Sequence, residues 1–71
     1  MQYPEDVHTV FEKAKAEGKD TTACEELLRQ AKEALEKASM YFAEANYIVA
    51  NYWAMQALKL LEESRECVEN L

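Results

Sequence analysis

One glycine and one proline in 71 residues leave this chain almost no means of making tight turns. Glycine enters the left-handed backbone region cheaply, and proline stops helices and inner strands. Their scarcity excludes a turn-rich β fold and points to long helices with few connections. With His8 the only histidine, no Cys-His or Ser-His-Asp constellation can be completed. Two cysteines, Cys24 and Cys67, fall short of a zinc motif, which needs close pairs and usually four ligands. No glycine-rich phosphate loop is present, and no apolar run approaches the roughly 20 residues that span a bilayer. The first residues, Met1 to Asp6, carry neither a basic segment nor an apolar one, so no signal peptide is expected.

Positive charge is also scarce: 8 Lys and Arg face 14 Asp and Glu, a formal net charge of −6. Affinity for phosphate backbones comes from Lys and Arg releasing counterions, so nucleic acid is not an expected partner, and anionic membrane surfaces are disfavoured for the same reason. What the chain does have is 49% hydrophobic and 31% charged residues, too apolar a mixture for disorder. One soluble helical domain spanning residues 1–71 is expected, small enough that its core must be efficient or stapled.

Pro4 suits the first position of helix 1, with Glu5 and Asp6 complementing the helix dipole. Gly18 is its natural left-handed stop, so helix 1 runs over about 4–17, with Tyr3, Val7, Val10, Phe11 and Ala14 as its apolar stripe. Thr22 and Glu25 have the spacing of a capping box, with Asp20 as a competing cap. From there Cys24, Leu28, Ala31, Leu35, Ala38, Phe42 and Ala45 recur at helical spacing, as do Ala50, Ala54, Ala57, Leu61, Ser64, Val68 and Leu71 in a different phase. The change of phase requires a turn between Glu44 and Asn51, and Asn46 is the preferred N-cap of the next helix. The reading is an all-α three-helix bundle with helix 2 over about 22–44 and helix 3 over about 46–70. Helices 2 and 3 run antiparallel and helix 1 docks across them. Leu28, Leu35, Phe42, Leu61 and Val68 are expected to fill the layers, so that Leu35→Asp would abolish folding.

In such a hairpin, residues equidistant from the turn meet, and the midpoint of Cys24 and Cys67 falls between residues 45 and 46. A disulfide is therefore sterically open to them. The favoured reading is two buried free thiols, because unpaired Cys commonly behaves as a small apolar residue.

Ala34 to Leu60, ALEKASMYFAEANYIVANYWAMQALKL, resembles a tetratricopeptide-repeat hairpin. Ala38, Ala50 and Ala57 fall at that family's small residues of close helix approach, Tyr41 at its first aromatic, and Asn46-Tyr47 at the turn. The resemblance implies a tight hairpin that takes part in protein interaction. It covers under half of the chain, and the family's early Trp and Leu, its turn Gly and its closing Pro are absent. A second resemblance lies in the segment Gln30 to Ala38, with AKEALEKA, and in LKLLEES from Leu58 to Ser64. Both look like the surfaces of computationally designed helical proteins, built from strong helix formers with Glu and Lys spaced to interact.

Chemistry has few candidates. Glu5 and His8 have the Glu-x-x-His spacing of di-metal helical bundles, which a dimer would have to complete, but they sit in a first turn. Ser39 and Ser64 have no base at helical spacing, and the glutamates alternate with lysines and arginines as a solvated face does. Neither a catalytic residue nor a cofactor is expected. Met40, Ile48, Tyr52 and Met55 fall away from the main seams and form a candidate interaction patch, through which the chain would self-associate or bind a partner. The expected function is that of a designed structural scaffold without biochemical activity. The alternative is a natural tetratricopeptide-like interaction module or homodimer-forming bundle.

Overall fold

The computed structural model describes residues 7–71. They form three helices and no strand: α1 over Val7–Ala16, α2 over Thr22–Ala43 and α3 over Tyr47–Glu69. The protein is an all-α three-helix bundle in which α2 and α3 pack against each other as an antiparallel hairpin and α1 packs on α3. The expected helix 1 start at Pro4, with Tyr3, Glu5 and Asp6, lies outside the described residues.

Two of the chain reversals share one geometry. After α1, Gly18 takes φ 79°, its N–H donates to the Lys15 carbonyl at 3.0 Å, and the Lys19 N–H donates to the Ala14 carbonyl at 3.0 Å. After α2 the same pair of bonds runs from Ala45 to Phe42 at 3.0 Å and from Asn46 to Tyr41 at 2.9 Å. Both are Schellman endings, which require a left-handed residue. At the second, that residue is Ala45 with φ 61°, and a Cβ there costs roughly 1–2 kcal/mol. Ala45→Gly removes that strain and returns part of it as unfolded-chain entropy, so the variant should be more stable by about 0.5–1 kcal/mol, read as a higher denaturation midpoint at unchanged m-value.

The helix starts differ in detail from the expected capping. Thr22 is already helical, and Thr21 occupies the N-cap position without a side-chain capping bond. Asp20 Oδ1 instead accepts both the Thr22 N–H at 3.0 Å and the Thr22 hydroxyl at 2.6 Å, which pulls its carboxyl below the usual range. Glu25 therefore pairs elsewhere, accepting the Thr21 hydroxyl at 3.2 Å and lying 2.9 Å from Lys15 Nζ on α1. Lys15 first, and Thr21 second, hold the Glu25 carboxyl below its ordinary value. This exposed latch between α1 and α2 is thus present above the carboxylate range and is lost as acid protonates Glu25. Asn46 does precede α3, but its side chain makes no capping bond, and its N–H is already spent on Tyr41.

Every seventh residue along the hairpin is small: Cys24, Ala31 and Ala38 on α2, Ala50, Ala57 and Ser64 on α3. All six are 9% exposed or less. Small side chains let helix axes approach toward the lower end of the usual 8–10 Å, so the seam where α2 meets α3 is narrow. The Ser64 hydroxyl donates to the Leu61 carbonyl at 2.7 Å, which satisfies the one hydroxyl on that seam.

The narrow seam corrects the expected core. Leu35 and Phe42 are exposed, and Leu28 and Leu61 are only half-buried. These residues flank the seam on one side, where burial requires a third element. α1 supplies it for part of the length only. Its 10 residues span about 15 Å, against about 33 Å for the 22 residues of α2. Val10, Phe11 and Ala14 of α1 form the buried cluster with Cys24 and Val68, and Val7, Leu28 and Cys67 pack against it. Helix 1 therefore covers the open end of the hairpin and does not cross its whole face.

Cys24 and Cys67 are joined by a disulfide with Cα atoms 5.6 Å apart, and no cysteine is free. The favoured reading of two free thiols is replaced. Register explains the pairing: the turn at Ala45 makes the two positions level, and the adjoining small residues bring the backbones within bridging range.

Candidate docking groove

On the side of the seam that α1 partly covers, one heptad stripe on α3 runs Val68, Leu61, Ala54, Tyr47, and the matching stripe on α2 runs Leu28, Leu35, Phe42. Burial fades along both toward the turn. Val68 is 3% exposed and Tyr47 is 61% exposed. Past the end of α1 the stripes open into a groove of about 570 Å³, lined by Leu35, Ala38, Ser39, Phe42, Tyr47, Ala50, Asn51 and Ala54. At its turn end the Phe42 and Tyr47 rings meet edge to face, with centroids 5.4 Å apart, a packing that orients both rings.

The groove continues onto α3. At 100° per residue, Leu58, Met55, Ile48 and Tyr52 follow Tyr47 around the helix within an arc of roughly 140°, interrupted by Asn51 and, one turn further on, by Lys59. Each is exposed, Ile48 by 87%. Of the sequence-derived patch, Ile48 and Met55 therefore share this face, and Tyr52 stands at its edge with its ring turned against Trp53. Met40 is exposed too, but it lies about 160° around α2 from Phe42 and stands apart from them. Leu35 and Phe42, which line the groove together with Tyr47, are among the residues expected to fill the core. A different signal marks them: of all the Asp, Glu, Lys and Arg, only Glu44 falls between Ala38 and Leu58. A surface helix normally carries charge on its outer face, and this stretch carries almost none.

The opposite side of the seam is closed by its own side chains. Tyr41, Trp53 and Leu60 are half-buried there, with Lys37 Nζ 4.3 Å from the centre of the Trp53 ring and the Tyr52 ring edge-on to it at 5.3 Å. A second concavity of about 580 Å³ lies between α1 and α2, floored by Val7, Phe11 and Leu28. Of its rim charges, Lys15 pairs with Glu25, and Arg29 is engaged by Glu26 and Glu33 beside it on α2.

His8 lies 3.9 Å from Glu12 with its side chain 82% exposed, while Glu5, its proposed partner in a metal motif, is outside the described residues. Among the described residues no group of three or more His, Cys, Asp or Glu side chains converges. Ser39 sits on the groove rim and Ser64 is buried in the seam. No described helix is long and apolar enough to cross a membrane. What the site offers is shape and apolar surface with few hydrogen-bonding groups.

Comparison with protein-family models, with curated proteins and with solved structures yields no match for the chain.

Proposed function

We propose that the protein is a non-catalytic helical interaction module that seats an apolar helical surface in the groove between α2 and α3. The observation that carries this reading is the charge-poor, outward-facing run of large apolar residues beside a preformed cleft. A helix laid into such a groove is recognised by side chains at i, i+3, i+4 and i+7. The buried positions of Ala38, Ala50 and Ala57 support a hairpin of the tetratricopeptide kind, whose implied role is also interaction. A designed scaffold meant to stay monomeric would carry charge on this face, so its apolar character weighs against an inert scaffold, despite the ion-paired Glu26, Arg29 and Glu33 ladder on α2.

The test is calorimetric titration of a synthetic amphipathic helix, apolar on one face and lysine-bearing on the other, into the dilute protein and into Leu35→Asp. Leu35 is 46% exposed, so the new carboxylate stays solvated and the helical circular dichroism should be retained, while peptide binding falls about tenfold or more. The added negative charge would strengthen a merely electrostatic attraction to lysine, so a loss isolates the apolar contact. A variant that unfolds would return Leu35 to the core and remove the groove with it.

A further inference from the structure

We infer that the occupant of the groove is a second copy of this chain, the two hairpins pairing face to face over their turn halves to make a four-helix arrangement. This rests on the groove being a docking face, as proposed above, and adds the identity of the partner.

Area is the first argument. Leu35, Phe42, Tyr47 and Leu58, together with the Ile48 and Met55 shoulder, are between 46 and 87% exposed. At roughly 150–250 Å² of surface for an aromatic side chain and somewhat less for Leu, Ile and Met, they leave about 700 Å² of apolar surface in water. The largest apolar patch on an ordinary monomer is about 300–600 Å², whereas each partner in a standard stable complex contributes about 800 Å². The face is oversized for a monomer and sized for a dimer.

Charge is the second. The protein as a whole carries −6, so two copies repel, yet the stretch from Ala38 to Leu58 holds only Glu44. A face with so little charge is complementary to itself under two-fold symmetry, where each surface meets its own copy. It offers nothing that would select a charged partner. Pairing through the turn halves also holds the two acidic open ends at opposite extremes of the assembly.

Helix 1 sets the register. It occupies the open-end half of the same face through Phe11, Leu28 and Val68, so the second copy has only the turn half to sit on. Two helical hairpins packed this way bury a common core between four helices.

Sedimentation equilibrium from about 1 μM to about 1 mM tests the inference, because an interface of this size dissociates within or below that range. The wild-type chain should sediment at twice its 8.2 kDa at the upper end. Phe42→Asp should weaken the dimer by about 100-fold or more, since pairing would bury two carboxylates without partners. Asn51→Lys, at an exposed position lining the groove, does the same by like-charge apposition without removing any apolar group that the hairpin needs. Met40→Asp, on the far side of α2, should leave the dimer unchanged. A wild-type chain that stays monomeric throughout, or a dimer indifferent to both Phe42→Asp and Asn51→Lys, overturns the inference. A monomer that still binds the synthetic helix overturns only the second copy as occupant, and a monomer that binds nothing overturns the docking reading as well.

Discussion

Replacing Cys24 and Cys67 together by alanine should lower the stability of the protein by about 4 kcal/mol. The bridge closes a loop with a sequence separation of 43, and the chain-entropy cost of closing such a loop in the unfolded state is about 4 kcal/mol. For a domain of this size total stability is roughly 4–10 kcal/mol on the usual per-residue scale, so the loss is a large share of it. On the midpoint temperature it corresponds to a fall of roughly 15–30 °C. The bridge does more than shorten a loop. Cys24 lies within the cluster of Val10, Phe11, Ala14 and Val68, so the last turns of α3 and the seat of α1 are held by the same covalent link. Thermal unfolding followed by circular dichroism, with and without dithiothreitol, checks this. The reductant should lower the wild-type midpoint to near that of the double variant and leave the variant unmoved. Coincident wild-type curves under a reductant shown by thiol titration to have opened the bridge would mean that the small-residue seam carries the fold alone.

The second large effect is expected at Ala57→Leu. Ala57 is fully buried on the narrow line where α3 meets α2, level with Ala34. Three added carbons have no space without pushing the axes apart, and separation would unpack the neighbouring turns along the seam. Overpacking of this kind costs about 1–3 kcal/mol, and the upper figure applies where both facing residues are alanine and the helices cannot slide because a disulfide pins one end. Guanidinium unfolding should show the midpoint falling accordingly, whereas Leu58→Ala, one residue on but exposed, should change it by under about 0.5 kcal/mol. Equal effects at the two positions would mean that the seam is misplaced.

The contrast between Ala57 and Leu58 shows where sequence reasoning succeeds and where it stops. Helical periodicity, a left-handed Gly18, and a phase shift near Asn46 are local signals, and each corresponds to a feature within a residue or two of its expected place. Recurrence at three and four residues also selects the right side of each helix. It does not say how wide the buried strip is. Cys24 with Leu28 and Ala38 with Phe42 look equivalent in spacing, yet the first pair lies under α1 and the second does not. Width depends on how closely two helices approach and on how far a third one reaches, and the second of these is a ratio of helix lengths that no single window contains. Two cues bear on it. Small residues at strict seven-residue spacing signal a thin seam, and the near absence of charge from Ala38 to Leu58 signals an apolar face that α1 does not reach. The cysteines were legible as neighbours but not as a bond, since two thiols brought together and a disulfide require the same register.

The manner of α1's attachment has a consequence for how the protein comes apart. Among the described residues α1 is held by the apolar cluster at the open end and by the exposed Lys15–Glu25 pair, and it joins the rest through Glu17 to Thr21, all exposed but for Thr21. The hairpin is closed at one end by a turn and at the other by a covalent bond. Loss of order is therefore graded: α1 can lift away on its own, which is the low-energy excursion that brief opening events sample. A protease cutting at Lys19 in such a moment would release α1 as a peptide and leave a closed ring of chain behind, shorn of its lid and with the full length of its apolar face laid bare.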